Sequence, residues 1–193
     1  MKKIKGLTFV KKEKVIKPHH FKGAFVLLFW MAAVSFIAFV LVLVFGTRTV
    51  VIGDGMENEL YNSQEVLINK SSYIVFKPRP GDIVAFYPAG NTKTHYYIKR
   101  VVATPGDSVL IKDGQLYING ELYKDSESFG YIEYSGLAEN EILLEKGEYF
   151  VMGDNCNDSE DSRYGNIGPV NIDDIVGRVW LKFKVEDNKG GLL

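Results

Sequence analysis

The chain has 193 residues and a formal net charge of −1, long enough for one core of ordinary size. Residues 1–23 carry eight lysines against one acid, Glu13, so this segment is +7 and residues 24–193 together are −8. Cys156 is the sole cysteine, which excludes an intrachain disulfide, and the acidic remainder gives no reason to expect a nucleic-acid partner.

Residues 24–45, AFVLLFWMAAVSFIAFVLVLVF, run for 22 residues without a charge. As a helix that stretch spans a hydrocarbon layer of about 30 Å. A buried core helix of this length would show a polar face. A cleaved signal peptide would have an apolar stretch of about 7–15 residues ending in a small-x-small site. Here the apolar run is longer and ends in Phe45-Gly46-Thr47-Arg48. We read it as an uncleaved transmembrane anchor, with the lipid bilayer as partner. The excess of lysine before it makes residues 1–23 a basic cytoplasmic segment and puts residues 46–193 outside. His19 and His20, beside the anchor, read as solvated interfacial residues. An outer domain without disulfides suits a bacterial cell surface.

Beyond residue 48 the pattern is mostly β. VLI at 66–68, DIVAFY at 82–87, YYIKRVVA at 96–103, SVLI at 108–111, QLYI at 115–118, YFVMG at 149–153 and GRVWLKFK at 177–184 are rich in β-branched and aromatic residues. Asp113-Gly114 and Asn119-Gly120 are two-residue hairpin signals. Pro80-Gly81-Asp82 and Pro105-Gly106-Asp107 read as tight turns ahead of strands. Short strands at this spacing predict an antiparallel barrel or sandwich-like domain. Residues 121–147 are more acidic and less regular, and read as a small insertion or ribbon on the main sheet. Glu186 to Leu193 read as a loose tail.

Three stretches carry chemistry. The first is VVIGDGMENELYNSQEVLINK, residues 50–70. The second is YYIKRVVATPGDSV, in which Lys99 sits inside an apolar strand pattern. The third is VMGDNCNDSEDSRYGNIGPV, residues 151–170, dense in Gly, Asp, Asn and Ser after a hydrophobic strand. Lys99 has two fates open to it. On a solvated face it is an ordinary surface lysine. On an apolar face its ammonium is desolvated, its pKa falls, and it can act as a general base.

Together these stretches resemble the type I signal peptidases, the serine–lysine membrane proteases that remove signal peptides from exported proteins. The resemblance is collinear over roughly residues 24–182 and also takes in RPGDIVAFYP and DGQLYINGE. It implies the fold of that family behind a single N-terminal anchor, and exported preproteins or extended peptide segments as partners. It implies neither a cofactor nor a metal. Residue by residue, it makes Lys99 the general base and Ser159 the serine that orients it. Asp161 and Arg163 become a structural ion pair beneath the site. Gly153, Asp154 and Asn155 become the turn entering it, and Met56 the methionine after the nucleophile.

The departures lie in the catalytic segments. Where the family reads Ser-Met-x-Pro-Thr-Leu and then a Gly-Asp turn, this chain reads Gly55-Met56-Glu57-Asn58-Glu59-Leu60 and then Ser63-Gln64. Glycine stands at the nucleophile position and has no side chain to attack a carbonyl. Cys156 stands where the family usually has arginine. Two functional readings follow. One is a non-catalytic relative that keeps the groove and acts as a peptide-binding or assembly factor, like the degenerate Gram-positive members that assist pilus assembly, with pilin subunits as clients. The other is an active signal peptidase with Lys99 as base and a displaced nucleophile, Cys156 or Ser63, or an activated water.

Overall fold

The structure is a computed structural model that describes residues 19–88, 95–184 and 190–193; the basic segment before His19 lies outside the described residues. Its first unit, which ends at Val42, holds all but the last three residues of the helix α1 (His19–Phe45). Residues 22–41 within it have a mean hydropathy of 2.6 and none of that window is buried. Large apolar side chains from Phe25 to Leu41 are exposed all around it. By length and composition this helix can cross a membrane.

The second unit is β. Among the described residues twelve strands follow in order: β1 (Gly46–Val50), β2 (Glu65–Asn69), β3 (Ile83–Phe86), β4 (Tyr97–Ala103), β5 (Ser108–Lys112), β6 (Gln115–Ile118), β7 (Glu121–Leu122), β8 (Ile142–Leu143), β9 (Glu148–Met152), β10 (Val170–Asn171), β11 (Ile175–Lys182) and β12 (Gly191–Leu192). The larger sheet has the order β1-β2-β11-β3-β4-β9-β10, with β12 added to β11. The smaller one runs β7-β6-β5-β8. Every pairing is antiparallel, as expected for the mainly β, sandwich-like class.

The turn chemistry sets this order. Asp113 and Gly114 both take positive φ, 51° and 74°, which is the backbone a two-residue hairpin needs, and Lys112 pairs with Gln115 across it. At Pro80-Gly81, Gly81 has φ 94° and the Asp82 N–H donates to Arg79 O at 3.0 Å. That is a type II turn, with proline and glycine where it wants them. The same construction recurs at Pro105-Gly106.

β3 is buried on both faces, and its side chains alternate between two cores. Ile83 and Ala85 join Met56, Leu60, Ile68 and Val179 on one face. Val84 and Phe86 join Val101, Tyr149 and Val151 on the other. A third cluster packs the smaller sheet, through Val109, Ile111 and Leu116, against Phe150, Met152 and Cys156.

Two expectations change. Residues 121–147 supply the outer strands β7 and β8 of the smaller sheet, whose inner strands β5 and β6 precede them; the additional unit therefore begins before residue 121. The chain end is also not loose where it is described. Leu192 pairs with Leu181 and the Leu193 N–H donates to Trp180 O at 2.9 Å, because β11 still has unpaired backbone groups there to satisfy. Residues 186–189 lie outside the described residues.

Candidate active-site groove

The segment after β1 is fixed by its apolar residues. Met56 and Leu60 are buried in the core under β3, and Leu60 N–H donates to Met56 O at 2.7 Å. This holds Gly55 over β4. A Cβ built on Gly55 would lie 2.9 Å from Lys99 Nζ, 3.1 Å from Asp158 O and 3.1 Å from Ser159 Cβ. The glycine therefore sits directly against the lysine amine, with the amine crowding the space a side chain would use. The φ of Gly55 is not in the left-handed region, so the backbone does not demand glycine there.

Lys99 is buried. Burial pushes its amine below the usual lysine range, with the Asp161 carboxylate pulling it partly back. The desolvated fate of Lys99 is thus the one realised, and a larger share of the amine is neutral than on a surface. Its neighbour Arg100 points to another environment. Arg100 Nε and Nη2 each donate to Asp154 at 2.7 Å, and Nη1 donates to Gly81 O at 2.9 Å.

Ser159 and Asp161 come from the loop after β9. Ser159 Oγ donates to Asp161 Oδ2 at 3.0 Å, as does the Gly153 N–H. Arg163 Nε donates to Asp161 Oδ1 at 2.8 Å and Nη2 to Oδ2 at 2.9 Å, with both side chains fully buried. Nη1 also donates to Tyr134 O at 3.0 Å, and Nη2 lies within hydrogen-bond reach of Ser159 O, at 3.3 Å, and of Cys156 O. The pair is thus the fastener of the loop. The Asn155 N–H closes the site by donating to Gly55 O at 3.2 Å.

Gly55, Met56 and Lys99 line one groove of about 940 Å³. Its walls are residues 51–56 on one side, Tyr96 to Ile98 on another, and the loop with Asp158, Glu160 and Ile167. It is of a size and apolar-polar mixture suited to an extended peptide. Among the described residues no group of acids, histidines and cysteine could hold a metal ion.

Neither alternative nucleophile lines this groove. Cys156 is 2% exposed, its Sγ–H reaches Phe129 O at 3.2 Å, and burial pushes its thiol up. It works as a core residue joining the loop to residue 129. Ser63 is an exposed turn residue with φ 64°, the conformation that a turn glycine takes easily.

The other departures have local reasons. Lys182 Nζ reaches Glu59 Oε1 at 2.5 Å and Glu59 O at 2.9 Å, and Arg100 Nη2 lies 3.7 Å from Glu59 Oε2. Sequence reasoning named neither Lys182 nor Arg100 for the site, since charges so far apart in the chain give no periodic signal. Asn58 has φ 85°, which proline cannot adopt because its ring holds φ near −65°. Asn58→Pro should therefore cost about 3 kcal/mol by pulling Met56 and Leu60 from their core. Asn58→Gly should stay within about 0.5 kcal/mol. Chemical unfolding of the full chain in detergent measures both.

The sequence matches agree with this geometry. Residues 24–184 match the family model described as signal peptidase, peptidase S26. The chain is 35% identical to Signal peptidase I P of Bacillus subtilis subsp. natto over 167 residues, covering 80% of this chain and 87% of the relative. It is 32% identical to Signal peptidase I U of Bacillus subtilis strain 168 over 185 residues, covering 93% of each. A crystal structure of a signal peptidase I from Enterococcus faecalis V583 aligns with a TM-score of 0.42 at 28% identity, over 54% of this chain and 97% of that one. The family rests on the sequence matches: this chain belongs to the signal peptidases of the peptidase S26 family.

Proposed function

We propose that this chain is a membrane-anchored signal peptidase family protein that binds extended segments of exported proteins without cutting them. It serves as a binding or assembly factor, and pilin subunits are one class of client. The anchor is α1, in a bacterial cell membrane, with the +7 segment in the cytoplasm and the β unit outside. The observation that carries this reading is Gly55 in contact range of Lys99. In a serine–lysine site the lysine removes a proton from an oxygen nucleophile; the role of orienting that lysine, expected of Ser159, is not the one its hydroxyl takes here, since Ser159 Oγ donates to Asp161 and not to the Lys99 amine. Lys99 keeps the buried, base-like state, and the Asp161–Arg163 pair keeps the loop, but no hydroxyl stands before the amine.

The burial of Cys156 and the turn position of Ser63 count against a displaced nucleophile. Lys99 acting on a water is then the remaining hydrolytic route. Gly55→Ser tests the reading. The new Cβ displaces the lysine tip, which is flexible, and asks a few tenths of an ångström of residues 158 and 159. With a signal-peptide-bearing preprotein, Gly55→Ser should cleave at least about a hundredfold faster than the unmodified chain, given what a lost serine costs such enzymes. Equal cleavage by both, lost with Lys99→Ala, would sink the proposal.

A further inference from the structure

The Lys99 amine has nothing of its own to bind. The residue is 8% exposed and lines the groove. Among the described residues, Nζ has neither a hydrogen-bond acceptor nor an ion-pair partner within reach. Asp161, the carboxylate that influences it most, is already taken by Arg163, Ser159 and the Gly153 N–H. Two more donors lie alongside. Among the described residues the N–H groups of Gly55 and Met56 donate to no acceptor, and both residues line the same groove. Nζ is not among the side-chain atoms that are both buried and unpartnered, so it opens to the groove, and donors placed there are free to take an acceptor from outside. The floor of the groove is therefore complementary to acceptors brought from outside.

The absent side chain decides which acceptor. At a serine the hydroxyl would stand between the amine and a ligand and would satisfy it. At Gly55 the amine itself reaches the ligand, at 2.9 Å from the Cβ position. A backbone carbonyl inside a peptide brings one neutral oxygen. A chain-terminal carboxylate brings two oxygens and the charge that a lysine pairs with, and its hydrogen bonds are roughly twice as strong.

We propose that the groove recognises the free C-terminal carboxylate of an extended peptide, held by Lys99 Nζ and the N–H groups of Gly55 and Met56. It would thus take the end of a chain rather than an internal bond. The inference rests on the peptide-binding reading above. The rim adds a second preference. Asp54, Asp158 and Glu160 are exposed acids on the groove wall, so they disfavour further acidic side chains near that terminus, weakly because water screens them.

The test uses the full chain in phosphatidylcholine nanodiscs and a fluorescein-labelled octapeptide of alanine and valine, made as the free acid and as the C-terminal amide. Fluorescence anisotropy should show the acid binding at least about tenfold tighter. Lys99→Met should bring the acid-to-amide ratio to about one. Equal affinity of acid and amide for the unmodified chain overturns the carboxylate inference and leaves peptide binding standing. Binding of neither peptide overturns both. The ratio on the unmodified chain decides the matter even if Lys99→Met fails to fold.

Discussion

Asp161→Ala should cost the folded chain about 3–5 kcal/mol. The substitution leaves Arg163 fully buried with its guanidinium unpaired. It also removes the acceptor for the Gly153 N–H and for Ser159 Oγ. An uncompensated buried charge is far worse than no pair at all. Replacing both partners together, Asp161→Leu with Arg163→Met, should therefore cost clearly less than Asp161→Ala alone. The double change still frees the carbonyls of Tyr134, Cys156 and Ser159 that Arg163 binds, so some loss remains. Unfolding by guanidinium in detergent, followed by near-ultraviolet circular dichroism, measures the three proteins. A double variant as unstable as the single one would show that the pair is not what fastens the loop.

Gly153→Ala comes second in size. A Cβ there would fall far inside contact with Gly55 O and Ser159 Oγ. Neither atom can simply rotate away, since Gly55 O is backbone and accepts from the Asn155 N–H, and Ser159 is tied to Asp161. The segment carrying Gly55 must lift from the loop after β9. Overpacking of this kind costs about 2–3 kcal/mol, and the groove floor should lose its peptide at the same time. Gly165→Ala is the control, because a Cβ there meets nothing within 4 Å. Unchanged peptide anisotropy with Gly153→Ala would show that residues 54–56 are not seated by this turn.

The parts of the fold that were legible in the sequence are those fixed by local chemistry. Asp113-Gly114 and the two Pro-Gly-Asp turns need positive φ at their glycines, and only a few residue types supply it. The apolar helix shows itself by length alone. The site was legible through Lys99 because a charged residue among Tyr97, Ile98, Val101 and Val102 forces a choice between solvent and burial; the sheet order, which puts β4 between β3 and β9, makes that choice. What stayed hidden depends on distant pairings. Glu59 meets Lys182 across 123 positions, and Arg100 meets Asp154 across 54. Cys156 meets the carbonyl of Phe129 in a core that Ile142 of the outer strand β8 helps close. The left-handed Asn58 was hidden too, since asparagine is compatible with several backbone regions and gives no sign of which one it uses.

The most direct test uses the chain as it stands. The full-length protein in lipid nanodiscs is incubated with a preprotein carrying a signal peptide, and mass spectrometry reads the preprotein's N-terminus over hours. With Gly55 before Lys99, the preprotein is expected to be recovered intact and bound to the chain. A processed N-terminus that appears with the unmodified chain and vanishes with Lys99→Ala would contradict the account.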